Sequence, residues 1–247
     1  MRKGIDTTDM VVYGHEAWIT TDKNTYAPWE TVHAVLRWGH NNRPDGFCRL
    51  DEFRAFLVDP QGNRKVLSPK QGNPDALGDY YDIDFVPHGE GVFTIMVIYD
   101  NIYGRSDSDE YFEGTRGDFP DIKEVIRYLQ PYSACFTVGK PGAQPAFVED
   151  SRISFVPAFP EGMAPDKLTV RLLQDRFPIR QASVTLVYYD GITWFERMMT
   201  TDENGTLFFN TEAPGQYCLI YRTGLNEPLP GVYEKKEVTA TYTFLKH

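Results

Sequence analysis

Cysteine is scarce. Cys48, Cys135 and Cys218 are the only three in 247 residues, and no two stand within four positions of each other. That spacing excludes a CxxC zinc or redox motif. The odd count leaves at least one thiol outside any intramolecular bridge and does not fix the redox compartment. Cys135 and Cys218 each fall in a strand-like run, where a buried structural thiol is the simpler reading, and the two are expected not to pair. Cys48 falls in a loop and is expected to react first with a thiol reagent. Basic residues are also short: 25 Lys and Arg stand against 35 Asp and Glu, a net charge of −10. This balance argues against a nucleic-acid partner and is compatible with a small cation. No apolar run is long enough to span a bilayer, so no transmembrane segment is expected. Met1-Arg2-Lys3 is basic, but no apolar stretch follows, so a signal peptide is expected to be absent from this numbering or already removed.

Motifs of catalysis are missing as well. There is no G-x-S-x-G, P-loop or Rossmann glycine pattern. His15-Glu16-Ala17-Trp18-Ile19 opens like a zinc-protease motif, but Ile19 stands where the second histidine is required. Asp107-Ser108-Asp109-Glu110 lacks the glycine and the spacing of an EF-hand loop. Carboxylates are abundant, yet none can be paired as acid and base.

What is present points to strands. Tyr (15), Phe (16) and Pro (17) are plentiful, which favours a β-rich chain with punctuated turns. Short alternating runs recur between turn signals. In the first half they include 15–20, Thr31 to Trp38, Phe53 to Val58, 81–86, Val92 to Tyr99 and Ala134 to Val138. An excursion over 100–131 carries an acidic patch (Asp107, Asp109, Glu110, Glu113) and a short helix expected at Asp121 to Leu129, entered through Pro120. In the second half the runs start at Leu168 and end at Leu245, with Asp202-Glu203-Asn204-Gly205 as a hairpin signal. The expected architecture is all-β: two tandem Ig-like β-sandwiches over 13–139 and 168–247, joined by a Pro/Gly-rich linker over 140–167, with one short helix near 120–130.

Chemistry concentrates at one end of the first sandwich. If 15–20 and 31–38 pair antiparallel through the turn near Asp22-Lys23-Asn24, His15 and His40 lie at the same end of the sheet. With alternating strand directions, the loop 40–52 and the excursion 100–131 leave from that end too. His15, Glu16, His40, Asp45, Asp51 and Asp100 then gather there. Imidazole suits Ni, Co, Zn or Cu, and carboxylates complete the shell. The plain alternative is a loop end with solvated acids and two surface histidines. His33 has the opposite strand parity and is expected to pack or hydrogen-bond. His88 sits in a turn and is expected to be exposed. Trp18, Trp29, Trp38 and Trp194 could line a sugar-binding face, although packing is the simpler reading at strand positions.

Several stretches resemble one family. They are His15-Glu16-Ala17-Trp18-Ile19, Trp38-Gly39-His40, Phe85-Val86-Pro87, Ile98-Tyr99-Asp100, Tyr233-Glu234-Lys235 and Thr239-Ala240-Thr241. Together they resemble the bacterial periplasmic component found alongside nickel and cobalt uptake transporters, a domain family without an assigned activity. In Pro178 to Val184, Thr201 to Gly205 and Pro214 to Tyr217 the second half is similar to the prealbumin-like or carboxypeptidase-regulatory sandwich. The resemblance implies a periplasmic location, a role in metal uptake beside a membrane metal transporter, and His15 and His40 as ligands. The chain departs from the family after Gly39-His40, where many relatives continue with Pro and an aromatic and this chain has Asn41-Asn42-Arg43. The expectation is therefore a non-enzymatic binding protein for a divalent transition metal, nickel or cobalt first, with a ligand set drawn from His15, His40, Glu16, Asp45 and Asp100. The alternatives are a cell-envelope module that binds carbohydrate or protein without metal and, last, a hydrolase using acids of the excursion.

Overall fold

The computed structural model describes residues 14–45, 49–140, 145, 148, 151–158, 167–211 and 213–246. In chain order the first half forms β1 (Glu16–Thr21), β2 (Thr25–Tyr26), β3 (Val32–His40), β4 (Arg43–Pro44), β5 (Phe53–Val58), β6 (Arg64–Val66), β7 (Lys70–Gln71), β8 (Tyr81–Phe85), β9 (Gly91–Arg105), β10 (Tyr111–Glu113) and β11 (Glu124–Val138). The second half forms β12 (Ile153–Ala158), β13 (Lys167–Gln174), β14 (Phe177–Pro178), β15 (Ser183–Tyr189), β16 (Trp194–Thr200), β17 (Thr206–Asn210), β18 (Gly215–Leu225) and β19 (Lys235–Lys246). The chain is all-β, as its alternation requires.

Three sheets are stacked. The central one has ten strands. Eight of them run in the order β16-β15-β18-β19-β11-β9-β5-β6, with β10 added to β9 and β2 to β11. One outer sheet contains β1, β3, β8, β7 and β4, and the other contains β12, β13, β14 and β17. Side chains alternate across a strand, and here both faces of the central sheet are covered. Along β9, Phe93, Ile95, Val97 and Tyr99 enter the core under β1 and β3, while Val92, Met96 and Ile98 enter the core under β12 and β13. Burial on both faces explains why Val92 to Tyr99 is apolar apart from Thr94, which is itself buried beside the Cys135 thiol. The expected pair of sandwiches is therefore two cores on opposite faces of one sheet. The sheet passes from one half of the chain to the other through a parallel pairing of β11 with β19.

Three local expectations are corrected. The helix expected near 120–130 does not form. Residues 121–123 make turns and bends, and Glu124–Val138 is a strand hydrogen-bonded to β9 on one side and β19 on the other. Val125, Ile126, Tyr128 and Leu129 are all buried, so two covered faces outweigh the start signal at Pro120. The excursion is correspondingly shorter than 100–131, because β9 runs to Arg105. The linker over 140–167 contains β12, whose six residues pair antiparallel with β13. The remainder of that stretch lies largely outside the described residues, as does Cys48.

The outer strand β1 lies in a trough of the central sheet. Its Ala17 and Ile19 face the first core, while Trp18 packs on Val187, Cys218 and Ile220 of β15 and β18. Thr241 of β19, beneath it, donates its hydroxyl to the Ala17 carbonyl at 2.9 Å. Burying a side chain the size of Trp18 stabilises by about 3 kcal/mol, which fixes the strand's height and register. That register places the candidate site residues.

Candidate metal centre

The expected antiparallel return is present. β1 and β3 pair with Glu16 opposite Gly39 and Thr21 opposite Ala34. Continued by one residue, the same register sets His15 opposite His40. Their ring centroids are 3.6 Å apart with planes inclined at 47°. His15 is buried and stacks on Trp38, at 5.7 Å and 12°. Trp38 in turn packs against Phe53, Tyr99 and Tyr132, so an aromatic floor holds the first imidazole still.

The third group arrives through a tight hairpin. Asn41 and Asn42 have φ of 47° and 62°, two successive left-handed residues, as in a type I′ turn. Asn tolerates this region better than other side chains. The turn pairs His40 with Arg43 and Gly39 with Pro44, and so returns Asp45 to the two histidines. One carboxylate oxygen of Asp45 lies 2.5 Å from His40 Nδ1 and the other 3.4 Å from His15 Nε2. His15, His40 and Asp45 each offer one ligand atom within 4.8 Å of the others.

This donor set fits a first-row divalent ion. Ligand atoms about 2.0–2.1 Å from one such ion lie roughly 3.4 Å apart. The 3.4 Å between His15 Nε2 and Asp45 matches that spacing, whereas the 2.5 Å hydrogen bond from His40 Nδ1 to Asp45 is shorter and would have to open for both atoms to ligate. The side chains of His40 and Asp45 are 38% and 42% exposed, which gives them room to move and opens the site to solvent. His15 stays fixed by Trp38.

The other two expected ligands are not brought into this cluster. Neighbouring residues of a strand point to opposite faces, so Glu16 turns away from His15. It is fully buried, accepts the Asn42 backbone N–H at 3.0 Å and pairs with Arg222 of β18. Burial pushes its carboxyl up to about 7, against the opposing pull of Arg222, the Asn42 N–H and His40. Asp100 is held by the Arg127 guanidinium through two bonds of 2.7 Å, with Arg54 at 3.7 Å. Asp51 pairs with Arg49, and Asp109 of the acidic patch with Arg105. His33 bonds Asp84 at 2.9 Å, as a hydrogen-bonding rather than ligating histidine would. His88 is exposed beside Trp29. The four tryptophans share no face, since Trp18 and Trp38 are buried.

Sequence reasoning missed what clamps the hairpin. Trp194 of β16 donates its indole N–H to the Asn42 carbonyl at 2.9 Å, and Gln216 of β18 donates to the Asn42 side-chain oxygen at 2.7 Å. Glu196 of β16 holds Arg43 and accepts from Asn41 at 3.3 Å. The second half of the chain therefore positions the turn. Asn-Asn as a hairpin signal was readable, but partners more than 150 positions away were not.

A family model spans residues 12–223 of this chain; its description is a domain of unknown function, DUF4198. The chain belongs to that family. No curated protein matches it in sequence. Among solved structures, a DUF4785 family protein from Legionella pneumophila shares 12% identity at a TM-score of 0.31, over 82% of this chain and 52% of that one. Salmonella alpha-2-macroglobulin shares 14% at 0.28, over 94% and 15%. A two-domain fibronectin type III segment of chicken tenascin shares 12% at 0.23, over 92% and 97%. This DUF4198 chain thus spans about half the Legionella protein and a small part of the macroglobulin.

Proposed function

We propose that the protein binds one divalent transition-metal ion through His15, His40 and Asp45, as a non-enzymatic binding protein of the bacterial periplasm that assists nickel or cobalt uptake beside a membrane transporter. One observation carries the binding step: two imidazoles and one carboxylate converge, one ring locked by Trp38 and the other two groups open to solvent. Two neutral imidazoles anchor the ion, and Asp45 offsets part of its charge. The half-exposed side provides entry and leaves coordination positions for water or for a ligand of the next carrier. Nickel, cobalt and the periplasm rest on the resemblance of the His15 to Ile19 and Trp38 to His40 stretches to the uptake-associated family.

The test is calorimetric titration of chelator-stripped, untagged protein with Ni(II), Co(II), Zn(II) and Cu(II). His15→Ala combined with His40→Ala should abolish binding. Asp45→Asn should weaken it, and His88→Ala should leave it unchanged. A double variant that binds like the parent moves the site elsewhere. A parent that binds none of the four ions ends the metal reading and leaves a cell-envelope module for carbohydrate or protein in its place.

A further inference from the structure

The trough that holds β1 continues beyond the start of that strand. Next to Gly14 it contains a cavity of about 310 Å³, the lower end of the range of small-molecule sites. Its floor is a grid on one face of three adjacent strands. Thr239 of β19 is the register partner of Arg222 on β18, with Gln130 of β11 on its other side. In the next row, Glu237 lies between Tyr128 and Gly224. All six line the cavity.

Two features of the grid point to a ligand. The first is Gly224, in the interior of β18. A β-carbon there would meet nothing within 4 Å, so neither packing nor a positive φ explains the glycine. Bulges and tight bends aside, a strand glycine is commonly found where a ligand or another backbone comes close. The second is a separated pair of opposite charges. Arg222 and Glu237 are diagonal neighbours, about 7–8 Å apart at their backbones, and form no ion pair with each other. Glu16, the Gly14 carbonyl and Asn41 all bond the same Arg222 nitrogen, Nη2. Nη1 and Nε make no hydrogen bond among the described residues, so each can donate one bond to a carboxylate oxygen beside the occupied Nη2. Glu237 is 42% exposed and ion-paired with Lys235 at 3.0 Å, with acceptor capacity to spare.

We propose that this trough binds a small zwitterion of the α-amino acid type, its carboxylate on Arg222 and its ammonium on Glu237, with the side chain over Gly224. A dicarboxylate would set one anion against Glu237, and a diamine would set one cation against Arg222. The site is separate from the His15–His40–Asp45 cluster and needs no metal.

The experiment is calorimetry on the full chain after chelator treatment, because free amino acids bind metals. The probes are L-alanine, L-glutamine and L-phenylalanine, with N-acetyl-L-glutamine and L-glutaminamide as singly charged controls. At least one free amino acid should bind, and the two controls at least tenfold more weakly. Gly224→Leu, which fills the trough from open space, should abolish binding without lowering the melting temperature. Glu237→Gln should weaken it at least tenfold and provides the second test if Gly224→Leu proves unstable. Absence of binding by all three amino acids, equal binding of the controls, or parental affinity in either folded variant overturns the proposal.

Discussion

Gly39 and Arg43 approach so closely that no side chain fits between them: a β-carbon on Gly39 would lie 1.9 Å from the Arg43 carbonyl oxygen. The contact is what lets the Asn41-Asn42 turn fold Asp45 back onto the two histidines. Gly39→Ala must open the hairpin, at a cost on the order of 1–3 kcal/mol. We expect Ni(II) affinity to fall at least tenfold with both histidines intact, read by the same titration. An unchanged affinity would show that Asp45 is not needed.

Glu16 should make stability depend on pH in the direction opposite to a surface carboxylate. Its carboxyl titrates near 7 in the fold, because it is buried, against 4.5 as a free side chain. The folded state therefore holds the proton more tightly, and the contribution is greatest below about pH 4.5. It declines as pH rises and is lost by about pH 7, a total of roughly 3 kcal/mol at most. Metal-free protein should melt at a lower temperature at pH 8 than at pH 5. Glu16→Gln should flatten that difference, since the half-exposed Arg222 can turn to water. Thermal melts of both proteins across this range decide it.

The two described thiols should be silent until the protein unfolds. Cys135 faces the core under β12 and β13, and Cys218 the cluster around Trp18, on opposite faces of the central sheet. Both are free. Burial pushes the Cys135 thiol up to about 12 and raises that of Cys218 as well, so neither offers a thiolate at neutral pH. Labelling followed by mass mapping should find both unmodified in native buffer and both modified in denaturant. A bridge between them would contradict the sheet arrangement.

Strands β9 and β11 line both cores, so the cores should melt together. Calorimetry should show a single transition whose enthalpy matches the van't Hoff value. A fragment ending at residue 139 should lack a cooperative transition, because it loses β19 beside β11 and the cover over Val92, Met96 and Ile98. Two resolved transitions, one of them retained by the fragment, would make the halves independent.

Most of the strands were determined by the sequence alone, as was the nearness of His15 to His40. Period-two alternation and turn residues are local signals, and an antiparallel return through Asp22-Lys23-Asn24 fixes which residues end together. Asp45 was within reach of the same logic, since Asn41-Asn42 encodes its own turn. The tertiary structure decided the rest. Glu124–Leu129 carries a helix start signal, and it became strand because two neighbours and two covered faces were waiting for it. Glu16 and Asp100 have the same chemistry as Asp45, yet arginines more than 20 positions away took them: Arg222 the first, Arg127 the second. The trough beyond Gly14 combines strands from both halves of the chain. A sequence specifies which groups can bind a ligand; which of them remain available depends on partners that only folding brings into contact.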